Sequence, residues 1–84
     1  MLEAQRTAQS AVLREILTNF RATAQLTQAQ LSLKLNRPQS YVSKYESGER
    51  KLTLVEVREI AICTGSTLSE LVEAFEEELT MTEG

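Results

Sequence analysis

Three threonines, Thr27, Thr53 and Thr67, are each followed three positions later by Gln30, Glu56 and Glu70. This is the capping-box pattern. The Thr hydroxyl accepts from the backbone N–H three residues on, and that residue's side chain accepts from the Thr N–H, so each pair marks the first turn of a helix. An apolar run at helical spacing stands behind each: Leu31 and Leu35, then Leu54, Val57, Ile60 and Ala61, then Leu68, Leu71, Val72, Phe75 and Leu79. Asn36, Gly48 and Gly65 are the stops, because Gly and, next to it, Asn take the left-handed backbone after a helix C-terminus. The chain is thereby cut into short helices. No segment alternates apolar and polar as a half-buried strand does, and there are no long repeats or low-complexity tracts.

In chain order, residues 1–9 carry little apolar periodicity and read as a flexible or helical lead-in. Leu13, Ile16, Leu17, Phe20 and Ala24 then predict a helix over residues 10–23. The stretch 27–51 reads as two helices, 28–35 and 38–46, joined by a tight turn. Arg37 precedes Pro38 and is pushed out of the helical region. Pro38 suits the first turn of a new helix, where its missing N–H costs nothing. Val42 and Tyr45 give that helix one apolar stripe. A fourth helix is expected over 54–63 and a fifth over 68–79, with 80–84 as a frayed tail.

The expectation is an all-α, compact five-helix domain over residues 10–79. A chain of 84 residues buries roughly 60–65% of its extended surface, enough for one modest core. That core should hold Leu13, Leu17, Phe20, Leu31, Leu35, Val42, Tyr45, Val57, Ile60, Leu68 and Leu71. Val55, Ile62, Phe75 and Leu79 are left over. They either pack locally or stay singly exposed, which is ordinary, or form a surface for a second copy.

Composition removes several classes of function. There is no His and no Asp, which takes away the usual metal and triad chemistry, so no cofactor or metal is expected and an enzyme is disfavoured. No apolar run reaches membrane-spanning length and no signal peptide opens the chain. Cys63 is alone, so there is no internal disulfide framework, and a cytoplasmic protein is the simplest reading.

The net charge of −3 at first argues against nucleic acid, but residues 1–51 balance to +4 and residues 52–84 to −7. Screening over roughly 8 Å makes the local field matter more than the total. The positive half coincides with the two short helices. In the second of these, Gln39, Ser40, Ser43 and Lys44 are all hydrogen-bonding and none is acidic. A merely solvated helix usually mixes Glu with Lys. This face suits hydrogen-bonding base edges beside negative charge, as in a DNA major groove.

The same stretch resembles the helix-turn-helix of the phage repressor and Cro family (XRE-type transcriptional regulators). The carrying residues are Thr27-Gln28-Ala29-Gln30-Leu31-Ser32, then Val42 and Tyr45, then Glu46-Ser47-Gly48-Glu49-Arg50. A looser likeness extends over residues 13–72. Two positions depart from the family pattern: Ser32 stands where Ala is preferred and Asn36 where Gly is preferred. The resemblance implies the phage-repressor-like fold, double-stranded DNA as partner and a homodimer. It implies Gln39, Ser40 and Lys44 as base readers, with Ser43 less firmly among them. Thr27 and Gln28 would meet a phosphate at the start of their helix, and Arg37, Arg50 and Lys51 would neutralise others. It also implies an ion pair between Arg21 and Glu46.

Three functional classes follow. The first is a sequence-specific regulator acting as a repressor on a near-palindromic operator. The second is an antitoxin or restriction–modification controller using the same DNA contacts, the former with a protein partner. The third is a protein-interaction module of the same fold, against which the cluster of Gln39, Lys44, Arg37, Arg50 and Lys51 argues.

Overall fold

A computed structural model describes residues 2–83. Met1 and Gly84, the outer ends of the expected lead-in and tail, lie outside the described residues. The described residues form five helices: α1 (Leu2–Thr23), α2 (Gln28–Lys34), α3 (Tyr41–Ser47), α4 (Leu54–Cys63) and α5 (Leu68–Glu83). No strand occurs among the described residues, and no helix there is long and apolar enough to cross a membrane.

The three Thr caps close as capping boxes. Thr27 Oγ1 accepts from the Gln30 N–H at 3.1 Å while Gln30 Oε1 accepts from the Thr27 N–H at 2.9 Å. The same reciprocal bonds join Thr53 to Glu56 and Thr67 to Glu70.

The first four helices end in one way. A residue with positive φ follows each: Gln25 (60°), Asn36 (57°), Gly48 (90°) and Gly65 (84°). The chain then folds back to bond the last turn's carbonyls, as when the Arg37 N–H donates to Ser32 O and the Asn36 N–H to Leu33 O, both at 3.0 Å. This is the Schellman closure. Gln25 is the stop that composition does not announce. A left-handed Gln costs about 1 kcal/mol, and the two bonds from Gln25 and Leu26 to Ala22 O and Arg21 O hold it there.

α1 begins at Leu2, so the lead-in takes the helical of its two expected forms and is continuous with the rest of α1. Two helix boundaries differ from expectation by more than one residue. α5 runs on to Glu83 through residues expected to fray. α3 begins at Tyr41, not at Pro38. The Tyr41 N–H donates to Pro38 O at 2.9 Å, a turn, so Gln39 and Ser40 lie just ahead of the helix.

α1 spans roughly 33 Å at 1.5 Å per residue, in a molecule 37 Å along its longest axis. It packs on α5, α3 and α4, while α2 packs on α3. Leu17, Leu31, Ile60 and Leu71 are at most 1% exposed, and each such burial contributes about 1.5–3 kcal/mol. Leu13, Phe20, Leu35 and Leu68, expected inside, are only partly buried at the edge of the core. Val12 replaces Leu13 because the α1 stripe facing inward is Val12, Ile16 and Leu17. Of the residues left over from the expected core, Phe75 and Leu79 take the packed alternative and lie against it.

Candidate nucleic-acid interface

The corner between α2 and α3 is held by a hydroxyl. Ser40, in the N-cap position of α3, makes no side-chain cap bond. Ser32 of α2 supplies one from the neighbouring helix. Its buried Oγ accepts from the Val42 N–H at 3.2 Å and donates to Gln39 O at 3.2 Å. Ser32 is where the family prefers Ala. An Ala here would leave the buried Val42 N–H without a partner, worth about 1–3 kcal/mol. The bond to Gln39 O also fixes the turn that presents Gln39 and Ser40.

Gln39, Ser40 and Lys44 are exposed, and Ser43 is half-buried. Ser43 Oγ donates to Ser40 O at 2.9 Å, and Ser47 Oγ donates to Lys44 O at 3.0 Å. The Ser43 hydroxyl thus spends its proton on the backbone and keeps lone pairs for an incoming donor, while Ser47 Oγ also lies 3.3 Å from Glu49 Oε2. Lys44 has no ion-pair partner among the described residues.

One charged cluster stands at the C-terminal end of α3. Arg21 Nε donates to Glu46 Oε2 at 2.8 Å and its Nη2 to Oε1 at 3.0 Å, a bidentate pair. The third nitrogen, Nη1, donates to Leu26 O at 2.9 Å. The Arg21 and Glu46 side chains are 17% and 7% exposed. Their hydrogen bonding raises the already high Arg21 pKa, against the opposing effect of burial. Gln28 Nε2 also donates to Glu46 Oε1, at 2.9 Å. Gln28 therefore joins this cluster and keeps one amide proton for anything else. Thr27 accepts within its capping box and retains its hydroxyl proton.

A second cluster stands on the opposite flank, and it brings together residues expected to act separately. Arg37 Nη2, at 3.3 Å, and Arg50 Nη2 both donate to Glu56 Oε2, while Glu56 Oε1 accepts from the Thr53 N–H. Both guanidinium groups lie over the Tyr41 ring, at 4.9 Å and 5.0 Å from its centroid. Tyr41 is itself buried and packs edge-on against Tyr45, 5.5 Å between centroids. The Thr53 N–H holds the Glu56 carboxyl below the usual carboxylate range, opposed by burial and helped by Arg50. Burial and Glu56 push the Tyr41 phenol up, opposed by Arg50 and Arg37. Sequence gives Glu56 only as the partner of Thr53 in a capping box and gives Tyr41 no role. The available signal was a capping carboxylate six residues after Arg50. Lys51 stays exposed, with no ion-pair partner among the described residues.

The surface around α3 thus combines uncommitted polar groups with cations held at fixed positions. A family model described as helix-turn-helix matches residues 17–71. No curated protein matches the sequence. Among solved structures, an XRE-family like protein from Pseudomonas syringae pv. tomato str. DC3000 is similar, at 31% identity and a TM-score of 0.85, over 92% of this chain and 94% of that one.

Proposed function

The chain belongs to the XRE-type helix-turn-helix family of DNA-binding regulators, and on that premise we propose that it is a sequence-specific repressor that reads the major groove of an operator as a dimer in the cytoplasm. The observation that carries this reading is that Gln39, Ser40 and Lys44 are exposed in a stretch, residues 37–45, that holds no acidic residue, with Arg37, Arg50 and Lys51 close by in the chain. Gln39 suits bidentate bonding to adenine and Lys44 donation to guanine, while Ser40 and Ser43 fit either pair. Arg37, Arg50 and Lys51 neutralise phosphates, with Thr27 and Gln28 donating to one at the start of α2. Each guanidinium has five donors, so Arg37 and Arg50 have donors to spare beyond Glu56.

Leu54, Val55 and Ile62 on α4 are 69%, 68% and 50% exposed and supply the apolar patch for a second copy, in place of Phe75 and Leu79. Two recognition turns would then lie about 34 Å apart, one turn of DNA, or a multiple of it. Selection from random duplexes by gel shift tests the reading. The expected result is enrichment of two related half-sites, with a log–log salt slope of roughly −5 to −7 for a dimer. A slope near zero, or no binding to any duplex at low salt, counts against DNA as the partner.

A further inference from the structure

A groove outside the recognition face runs between the N-terminal half of α1 and the segment 48–52, enclosing about 540 Å³. Small-molecule sites occupy about 300–1,000 Å³. Arg6 and Arg14 reach it from α1, and Arg50 and Lys51 from the facing wall, with Glu3 as its one carboxylate. Arg6, Arg14 and Lys51 have no carboxylate partner among the described residues. The Arg14 guanidinium lies against the backbone of Gly48, 3.4 Å from where a Cβ would stand. Leu13, Leu17 and Leu52 give the groove an apolar side.

Among the described residues, two buried side-chain polar atoms lack a hydrogen-bond partner, and both belong to residues lining this groove: Tyr45 Oη and Arg50 Nε. Tyr45 is 1% exposed, and burial pushes its phenol well up, so the hydroxyl keeps its proton as a donor. A buried donor left unmet costs about 1–3 kcal/mol. Both donors lie beneath a groove whose four cations outnumber its one carboxylate, so the groove itself lacks negative charge.

We infer that this groove binds a small organic phosphate, its phosphate held by Arg14, Arg50 and Lys51 and its carbon body against Leu13, Leu17 and Leu52. A phosphate monoester matches the site better than a single carboxylate does, because it brings three acceptor oxygens and close to two negative charges. Arg50 and Lys51 are also proposed DNA contacts, so an occupied groove draws both from the operator and weakens DNA binding. That consequence rests on the proposed function; ligand binding itself does not.

The test is a 15N–1H correlation titration of the DNA-free protein with hexyl phosphate, with hexanol and inorganic phosphate as controls. Saturable shifts are expected at Leu13, Tyr45, Gly48 and Leu52, with a dissociation constant on the order of 1 mM or tighter. Both controls should bind more weakly. Arg14→Gln and, separately, Arg6→Gln keep dispersed spectra, and Arg14→Gln weakens hexyl phosphate about tenfold, the loss of one charge-assisted bond. Absence of saturable shifts, equal affinity in Arg14→Gln, or inorganic phosphate binding as tightly as the ester overturns the inference. So does the case where hexyl phosphate fails while duplex DNA shifts these same amides, which assigns the groove to the DNA backbone.

Discussion

Two arginine–glutamate clusters flank α3, built from the same residue types and put to different ends. At Arg21 and Glu46 there is one cation to one carboxylate, both largely buried, and all three guanidinium nitrogens are spent on Glu46 and Leu26 O. At Glu56 there are two cations to one carboxylate, the arginines 37% and 39% exposed, each giving it one nitrogen. A buried pair with all three guanidinium nitrogens engaged is closed to a ligand and acts on the fold. A half-exposed cluster with surplus charge and spare donors is held in place, by the Tyr41 ring and Glu56, and remains available. The difference comes from stoichiometry and burial rather than from residue identity.

The buried cluster should give the largest effect. Arg21→Met leaves the Glu46 carboxylate without its cation, and Glu46→Gln leaves Arg21 charged and only 17% exposed. Each should cost about 1–3 kcal/mol, short of the 3–5 of a fully buried pair. The double variant should cost less than the sum, because the second change removes a group already stranded. Denaturant midpoints for the cycle measure this. Additive losses would mean that the two side chains do not depend on each other and would erase the distinction between the clusters.

A second, smaller effect probes the other side. Arg37→Gln and Arg50→Gln should each flatten the DNA salt slope by about one unit, the loss of one phosphate contact. Their unfolding midpoints should move far less than that of Arg21→Met, since ion pairs this exposed contribute little to stability. An unchanged slope together with an Arg21-sized loss of stability would place the Glu56 cluster in the same class as the buried one.

Most of what positions these clusters was legible in sequence because it is local. Capping boxes at Thr27, Thr53 and Thr67 and stops at Asn36, Gly48 and Gly65 each need only a few neighbouring residues, so helix starts and ends could be read from pattern alone. Gln25 could not, since its left-handed backbone is imposed by the fold around it. The start of α3 was misplaced for a similar reason. Pro38 is compatible with a first helical turn, but Ser32, from another helix, meets the Val42 N–H and leaves Gln39 and Ser40 in the turn. At the candidate interface Gln39, Ser40 and Lys44 are exposed as expected, but the first two through the turn and not through helical spacing. The gathering of Arg37 and Arg50 on Glu56 is tertiary, and a list of separate cations does not contain it. Tyr41 was overlooked because a phenol next to polar residues reads as surface, whereas here two guanidinium groups and Tyr45 enclose it.

The smallest effect expected is a dependence on acid, and it belongs to the Glu56 cluster. The folded protein holds Glu56 below its ordinary pKa of 4.5, first through the Thr53 N–H and then through Arg50, with burial opposing both. A carboxylate depressed in the folded state binds protons more readily when unfolded. Its contribution to stability is therefore complete above the unfolded pKa and is lost as pH falls through the folded one. Wild-type unfolding midpoints followed from about pH 6 to about pH 3 should fall as the window below 4.5 is entered. In Glu56→Gln the Thr53 capping bond persists through the amide oxygen, but the charge on which Arg37 and Arg50 converge is gone at every pH. That variant should start lower at pH 6 and decline less across the window, so that the two curves approach each other in acid. Parallel curves would show that Glu56 gains nothing from its ionised form on folding. The Thr53 cap would then suffice without the arginines, and the second cluster would be two cations that merely lie near a carboxylate.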